Sequence, residues 1–454
     1  MSDTSRDLTK GPVWRALAAM SAPMMLGIVA VISVGVADAY FLGQLGGAPL
    51  AAIGFIYPVT AAVTSLSIGL SAGANATVSQ AIGRGDSDDA SARIGLHAVA
   101  LGVALSLFVG LAIYLGFPAL FGLLGAGDRV MTEIAPFMPW WCLSFPFLVL
   151  MMLINALFRA HGDAAVAAIV MVGSAVVNIG LDPVLIYGWG PIPALGTEGA
   201  AMATFVARLV AAGAVFIYAI RQGLLRLTDT PAKDLGWSLT ELGKVGGPAA
   251  FSNAINPAGM AAVTAAVATL GETAVGGFGA ATRVQSMVMV PMLALSAGIG
   301  PVVGQNWGAD KPDRAARTVQ AAFAFCLGYG VLIGLALSLF ARPIASALAS
   351  DAEAAGYAAI YLRVVGWSLF GYGILVTANA AMNARSRAGW SMSLSLSRIF
   401  LVYLPGAWAG VSLFGFAGIT GAAVLANVLV SGAAVFAVHR TGLFLPAKLK
   451  QTFA

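Results

Sequence analysis

Charge is what this chain has least of. Asp, Glu, Lys and Arg together make up only 9% of its 454 residues, against about a quarter in an average soluble domain. Hydrophobic residues account for 59%, and the mean hydropathy is +0.89. A soluble globular fold is thereby excluded. Only two cysteines occur, Cys142 and Cys326, each in an apolar setting and without a CxxC or Cys/His cluster, so neither a disulfide framework nor a zinc site is indicated. No GxxxxGK[ST] string is present, which removes ATP as a direct energy source. The short alternating segments of a membrane β-barrel are missing as well. The polar opening MSDTSRDLTKGPVWR has no short apolar region with a cleavage site, so the first span is expected to act as the targeting signal.

What the chain does have is apolar runs of the ~20 residues a helix needs to cross a bilayer. Cutting at Gly, Pro and charged residues predicts twelve spans, near 14–42, 50–80, 94–116, 134–158, 165–187, 199–220, 246–270, 276–303, 318–340, 356–382, 388–411 and 418–438. Assigning Lys and Arg to alternate sides puts eighteen on one side, among them Arg6, Lys448 and Lys450, and two, Arg129 and Arg342, on the other. Four more, Arg208, Arg283, Arg363 and Arg398, fall inside spans. This asymmetry predicts cytoplasmic termini. It also accounts for the net charge of +5 without nucleic acid, and no nucleic-acid partner is expected.

The sequence is also written twice. Sliding it by 225 residues lays Ser71-Ala72-Gly73 on Ser296-Ala297-Gly298 and Gln80 on Gln305; further along, an offset of 222 lays Pro183 on Pro405. Six spans per copy give both copies the same orientation, as in parallel-repeat transporters. The expected fold class is an all-α polytopic membrane protein with twelve helices in two pseudo-symmetric six-helix lobes. An amino-terminal lobe is expected over 1–222, a charged cytoplasmic linker over 223–239 and a carboxy-terminal lobe over 240–454.

Differences between the copies point to a site. Of nineteen acidic residues, two lie deep in spans: Asp38 in the first and Asp182 in the fifth. Their repeat partners are Val263 and Leu404, while Asn178 pairs with Phe400 and Thr204 with Ala426. At ~1.5 Å of rise per residue, Asp38, Asp182 and Thr204 reach similar depths in spans one, five and six. Asn178 and Asp182, four residues apart, share one helix face. Pro183 removes a backbone donor and is expected to loosen the helix beside them. An Asn or Thr in a membrane often only bonds a neighbouring helix, for about 0.6 kcal/mol. An aspartate costs ~2.5–3.5 kcal/mol to insert, which makes intramembrane acids functional candidates. Neither acid has an evident basic partner inside a span. Two carboxylates kept from water titrate as a unit and can hold a proton between them; with amide and hydroxyl oxygens they also make a hard-ligand shell suited to Na⁺.

ADAYFLGQLG, SAGANATVSQAIGRGD, NALFRAHGD and NIGLDPVLIYGWGPIPALGTEGAAMAT resemble the multidrug and toxic compound extrusion (MATE) family of antiporters, over essentially the whole chain. The resemblance implies export of amphipathic, often cationic compounds in exchange for H⁺ or Na⁺. It implies that Asp38, Asn178, Asp182 and Thr204 form the cation-linked cluster, with Na⁺ as a possible occupant, that Asn155 is a further polar member, and that Pro23 is a bending point of the first helix. NorM-like members carry acids in spans seven and ten; none stands there in this chain, so the resemblance is to the DinF-like or archaeal-type branch. No enzymatic activity and no cofactor beyond the coupling ion is expected, and the protein is expected to be a monomer in the inner (plasma) membrane. Two rivals are a lipid-linked oligosaccharide flippase of related fold and, more remotely, an intramembrane aspartyl protease, whose YD and GxGD contexts are absent here.

Overall fold

The computed structural model describes residues 7–227, 229–349 and 351–444; Arg6, Lys448 and Lys450 of the charge asymmetry lie outside them. Among the described residues there is no strand, and the chain is helical apart from short turns. Twelve rods follow one another: α1 (Val13–Leu45), α2 (Gly47–Arg84), α3 (Asp88–Leu123), α4 (Asp128–Ala160), α5 (Ala164–Tyr187), α6 (Thr197–Arg221), α7 (Leu235–Ala268), α8 (Glu272–Val288, continuing as Val290–Gly308), α9 (Pro312–Leu348), α10 (Ala352–Ala384), α11 (Ala388–Phe414) and α12 (Phe416–Arg440). Each predicted span falls on one of them. Ten are long and apolar enough to cross a membrane, and the two legs of α8, bent by 44°, make an eleventh. The remaining rod, α7, has the length, but Ser252, Asn253, Asn256 and Pro257 dilute its apolar interior.

Prolines explain where the rods depart from regular helix. Pro291 opens the second leg of α8, where its missing N–H and its ring produce the bend. In α11, Pro405 follows a π-helical stretch, Ser397–Tyr403, a wider winding of the kind often found at functional positions. Its repeat counterpart Pro183 leaves α5 an uninterrupted α-helix through Tyr187, so the expected loosening there is not seen. Pro23 likewise lies within continuous α1.

Two compact units divide the chain, one built on Pro23–Ala250 and one on Leu8–Ala22 together with the chain from Phe251. Residues 223–239, expected as a linker, thus belong to the first unit, where Asp234 pairs with Arg93 and Pro231 accepts a 2.7 Å bond at the His97 ring. The SLTELGKV segment forms the opening turns of α7. In the first unit α4 is central, packed on α2, α3 and α6, with Phe145, Ile154 and Leu157 buried. In the second, its repeat partner α10 plays that part against α8, α9 and α12. Lipid is as apolar as leucine, so small residues that allow close approach hold such helices together. The repeated Ser-Ala-Gly triplets do this twice. A Cβ on Gly73 would stand 2.7 Å from the Leu242 carbonyl oxygen, and one on Gly298 would run into Ser21 and the Met20 backbone. Each unit therefore incorporates the opening turns of the other half's first helix.

Candidate cation site of the amino-terminal half

Local structure sets α5 and α6 side by side. Asp163 caps α5, accepting from the backbone N–H groups of Ala165 and Val166, as a helix start requires. At the other end the chain turns back on itself: Leu195 N–H donates to the Leu185 carbonyl at 3.0 Å and Gly196 N–H to that of Ile186 at 3.1 Å. These bonds satisfy the last carbonyls of α5 and start α6 alongside it. Gly199 lies so close to the Leu185 backbone that a side chain there has no room. Five residues on, Thr204 Oγ1 accepts from Asn178 Nδ2 at 3.4 Å.

A second clamp brings α1 to the same place. The Tyr187 hydroxyl donates to the Phe41 carbonyl at 2.7 Å, and the two rings meet edge to face with centroids 6.2 Å apart. One turn below these residues, Asp38 and Asp182 sit carboxyl to carboxyl. Asp182 is wholly buried and Asn178 is 3% exposed, whereas Asp38 and Thr204 are half-buried. Both carboxylate oxygens of Asp182, Oδ1 of Asp38 and Oδ1 of Asn178 are buried without a hydrogen-bond donor. Ionised carboxylates only accept, so the two cannot bond each other as anions; one proton added between them supplies the missing donor. The structure thus brings together Asp38, Asn178, Asp182 and Thr204 from three helices.

Asn155 stands apart. It is buried on α4, its Oδ1 also lacks a donor, and it shares no hydrogen bond with the other four. Pro23 is remote from the cluster along α1, at the boundary where the chain passes from one compact unit to the other.

Sequence reasoning missed a cation. Arg208, four residues beyond Thr204 on the same face of α6, acts electrostatically on Asp38, which corrects the expectation of no basic partner inside a span. It forms no direct ion pair with Asp38; its Nη1 donates instead to Ser144 Oγ on α4 at 2.7 Å. The i, i+4 spacing of Thr204 and Arg208 was the signal available. Two carboxylates and one guanidinium leave one negative charge over. Among the described residues no group of three or more His, Cys, Asp or Glu side chains is assembled as for a metal ion.

A family model described as MatE matches residues 23–184 and again residues 248–409, the second match beginning 225 residues after the first. A relative from Shewanella oneidensis named "FAD transporter" is 33% identical over 437 residues, covering 95% of this chain and 96% of the relative. The "Multidrug export protein MepA" of Staphylococcus aureus is 25% identical over 434 residues, with 95% and 94% covered. Among solved structures, that of the Vibrio cholerae MATE transporter VcmN in the bent form superposes with a TM-score of 0.89 at 28% identity, covering 95% of this chain and 99% of that one.

Proposed function

This chain belongs to the MatE family of membrane transporters, and from that premise we propose that it is a secondary active exporter that releases amphipathic organic compounds, cationic ones among them, in exchange for H⁺ or Na⁺. The observation that carries the reading is the set of buried oxygens on Asp38, Asn178 and Asp182 that lack donors. Burying such acceptors unsatisfied costs about 1–3 kcal/mol each, and a site that holds them ready for a cation gives that cost a purpose. With Arg208 nearby, one monovalent cation neutralises the cluster. Occupancy then changes local charge by one unit, which is the requirement for coupling export to an ion gradient.

In this scheme the coupling ion enters from outside, binds at Asp38 and Asp182 with Asn178 and Thr204 as further oxygen ligands, and weakens the hold on cargo, which leaves to the exterior. Alternating access then returns the ion inward. Pro23, lying where α1 passes between the compact units, is the natural bending point. The expected setting is the plasma membrane with cytoplasmic termini, given the Lys and Arg asymmetry. A second reading concerns cargo alone. The relative named "FAD transporter" is the more identical of the two compared above, which favours an anionic, nucleotide-like compound among the substrates.

The test is substrate-dependent ion flux in proteoliposomes for wild type, Asp38→Asn and Asp182→Asn, driven in turn by a pH gradient and a sodium gradient. Coupled export is expected to vanish in both variants while binding of cargo persists. Undiminished coupled export in both would remove the proposed site.

A further inference from the structure

We propose that Arg398 and its neighbours in the carboxy-terminal half form a binding site for the anionic group of an aromatic organic compound, the cargo in the export reading on which this inference rests. Arg398 lies on the π-helical stretch of α11 and is 7% exposed. Its Nε and Nη2 donate to Asn427 Oδ1 on α12 at 3.3 and 3.1 Å, and its Nη1 donates to Asn256 Oδ1 on α7 at 3.3 Å. Asn427 is itself held by its Nδ2, which donates to Ser368 Oγ on α10 at 3.0 Å. The guanidinium lies over the Tyr372 ring at 4.7 Å and near that of Tyr403 at 5.7 Å. Close approach of α7 and α11 is built in, because Ile399 fills the space where a side chain on Gly259 would be.

The neighbours orient this charge without neutralising it. Asparagine oxygens and tyrosine faces are neutral, and Arg398 forms no ion pair among the described residues. Among the described residues the second unit has five acids, Glu272, Asp310, Asp313, Asp351 and Glu353, all at helix starts or in turns. A guanidinium has five N–H donors, and three are engaged. One remains on Nη1 and one on Nη2, charged donors available to a carboxylate or phosphate. Asn256 and Tyr372 are only half-buried, so the Nη1 side and the ring face form the rim of the cluster. An oxyanion bonded to Arg398 would bring an attached aromatic group against Tyr372.

The repeat gives a reason why the cluster stands where it does. Asn256, Arg398 and Asn427 lie in spans seven, eleven and twelve, the counterparts of spans one, five and six that carry Asp38, Asn178, Asp182 and Thr204. Position by position they fall on Val31, Val176 and Phe205. The two halves thus use the same three helices for polar clusters of opposite sign, at displaced positions.

The proposal is tested by equilibrium binding of two dyes sharing a xanthene core, the dianion fluorescein and the cation rhodamine 123, to purified full-length protein, read by fluorescence polarisation without any ion gradient. Wild type is expected to bind fluorescein at least ten times more tightly than Arg398→Gln does, with rhodamine 123 unchanged. Arg398→Lys, which keeps the charge but loses the guanidinium donors, is expected to fall between. Asn256→Ala should lower the fluorescein-to-rhodamine preference severalfold, a ratio that a general packing defect would not move, and it decides the matter should the Arg398 variants fail to fold. Equal fluorescein affinity in wild type and Arg398→Gln, or an unchanged preference in Asn256→Ala, would overturn the proposal. Failure of the export reading looks different: ion flux would ignore cargo while the Arg398-dependent dye preference persisted.

Discussion

Asp182→Asn separates a functional carboxylate from a structural one by the sign of its effect on stability. Asp182 is wholly buried, and neither of its oxygens has a donor. Each such acceptor costs about 1–3 kcal/mol. Asparagine keeps the shape, removes one acceptor and adds an amide donor next to Asp38 Oδ1, which also lacks one. A hydrogen bond to a charged group contributes about 1.5–3 kcal/mol. The substitution also leaves the Asp38 charge balanced by Arg208 with no added cation. The variant is therefore expected to be more stable than wild type by about 1–3 kcal/mol while losing ion-coupled export. The assay is the apparent unfolding midpoint of both proteins in one detergent, beside flux in proteoliposomes. The gain should shrink as pH is lowered, because an added proton gives the wild-type pair the donor it lacks. A variant destabilised by more than about 1 kcal/mol would show that the carboxylate is already satisfied in wild type, and the reasoning would fail.

Two further substitutions probe how the site is assembled. Tyr187→Phe deletes the 2.7 Å bond from α5 to the Phe41 carbonyl, worth about 0.5–1.5 kcal/mol; the coupling-ion concentration for half-maximal transport is expected to rise a few-fold, and an unchanged ion dependence would mean the clamp does not position Asp38. Gly199→Val pushes a side chain into the Leu185 backbone. Such overpacking typically costs about 1–3 kcal/mol, so a lowered unfolding midpoint together with weakened ion coupling is expected.

The outline of the fold was readable because a bilayer restricts what a sequence can do. Apolar runs, punctuation by Gly and Pro, and the 225-residue offset located all twelve rods, including α7, whose polar interior makes it the weakest by hydropathy. The acids were readable for the same reason, since a carboxylate in a span is conspicuous. What escaped notice depends on contacts between helices. Arg208 had been counted as one of four in-span cations, yet only the clamp of Tyr187 on Phe41 and the close contact of Gly199 with Leu185 bring its helix beside Asp38. Pro183 and Pro405 occupy matched positions, and only α11 winds into a π-helix before its proline; the proline alone does not decide the outcome.

The carboxy-terminal cluster was overlooked because of how the halves were compared. Matching residue to residue shows Asp38, Asn178, Asp182 and Thr204 replaced by Val, Phe, Leu and Ala, and says nothing of polar residues at displaced positions. A duplicated bundle conserves helix positions more strictly than side-chain positions. Any of several inward-facing residues on spans seven, eleven and twelve serves the same volume, so Asn256, Arg398 and Asn427 need not align with their counterparts. Opposite charge is then the informative difference. Two acidic clusters would both compete for the coupling ion, and cargo would be attracted only if cationic. An acidic cluster in one half and a basic one in the other would divide the tasks: the ion would answer to Asp38 and Asp182, and an anionic group to Arg398. On this argument Asp182→Asn should leave the dye preference of the carboxy-terminal half unchanged, and Arg398→Gln should leave the stability gain of Asp182→Asn in place, because substitutions at independent sites add.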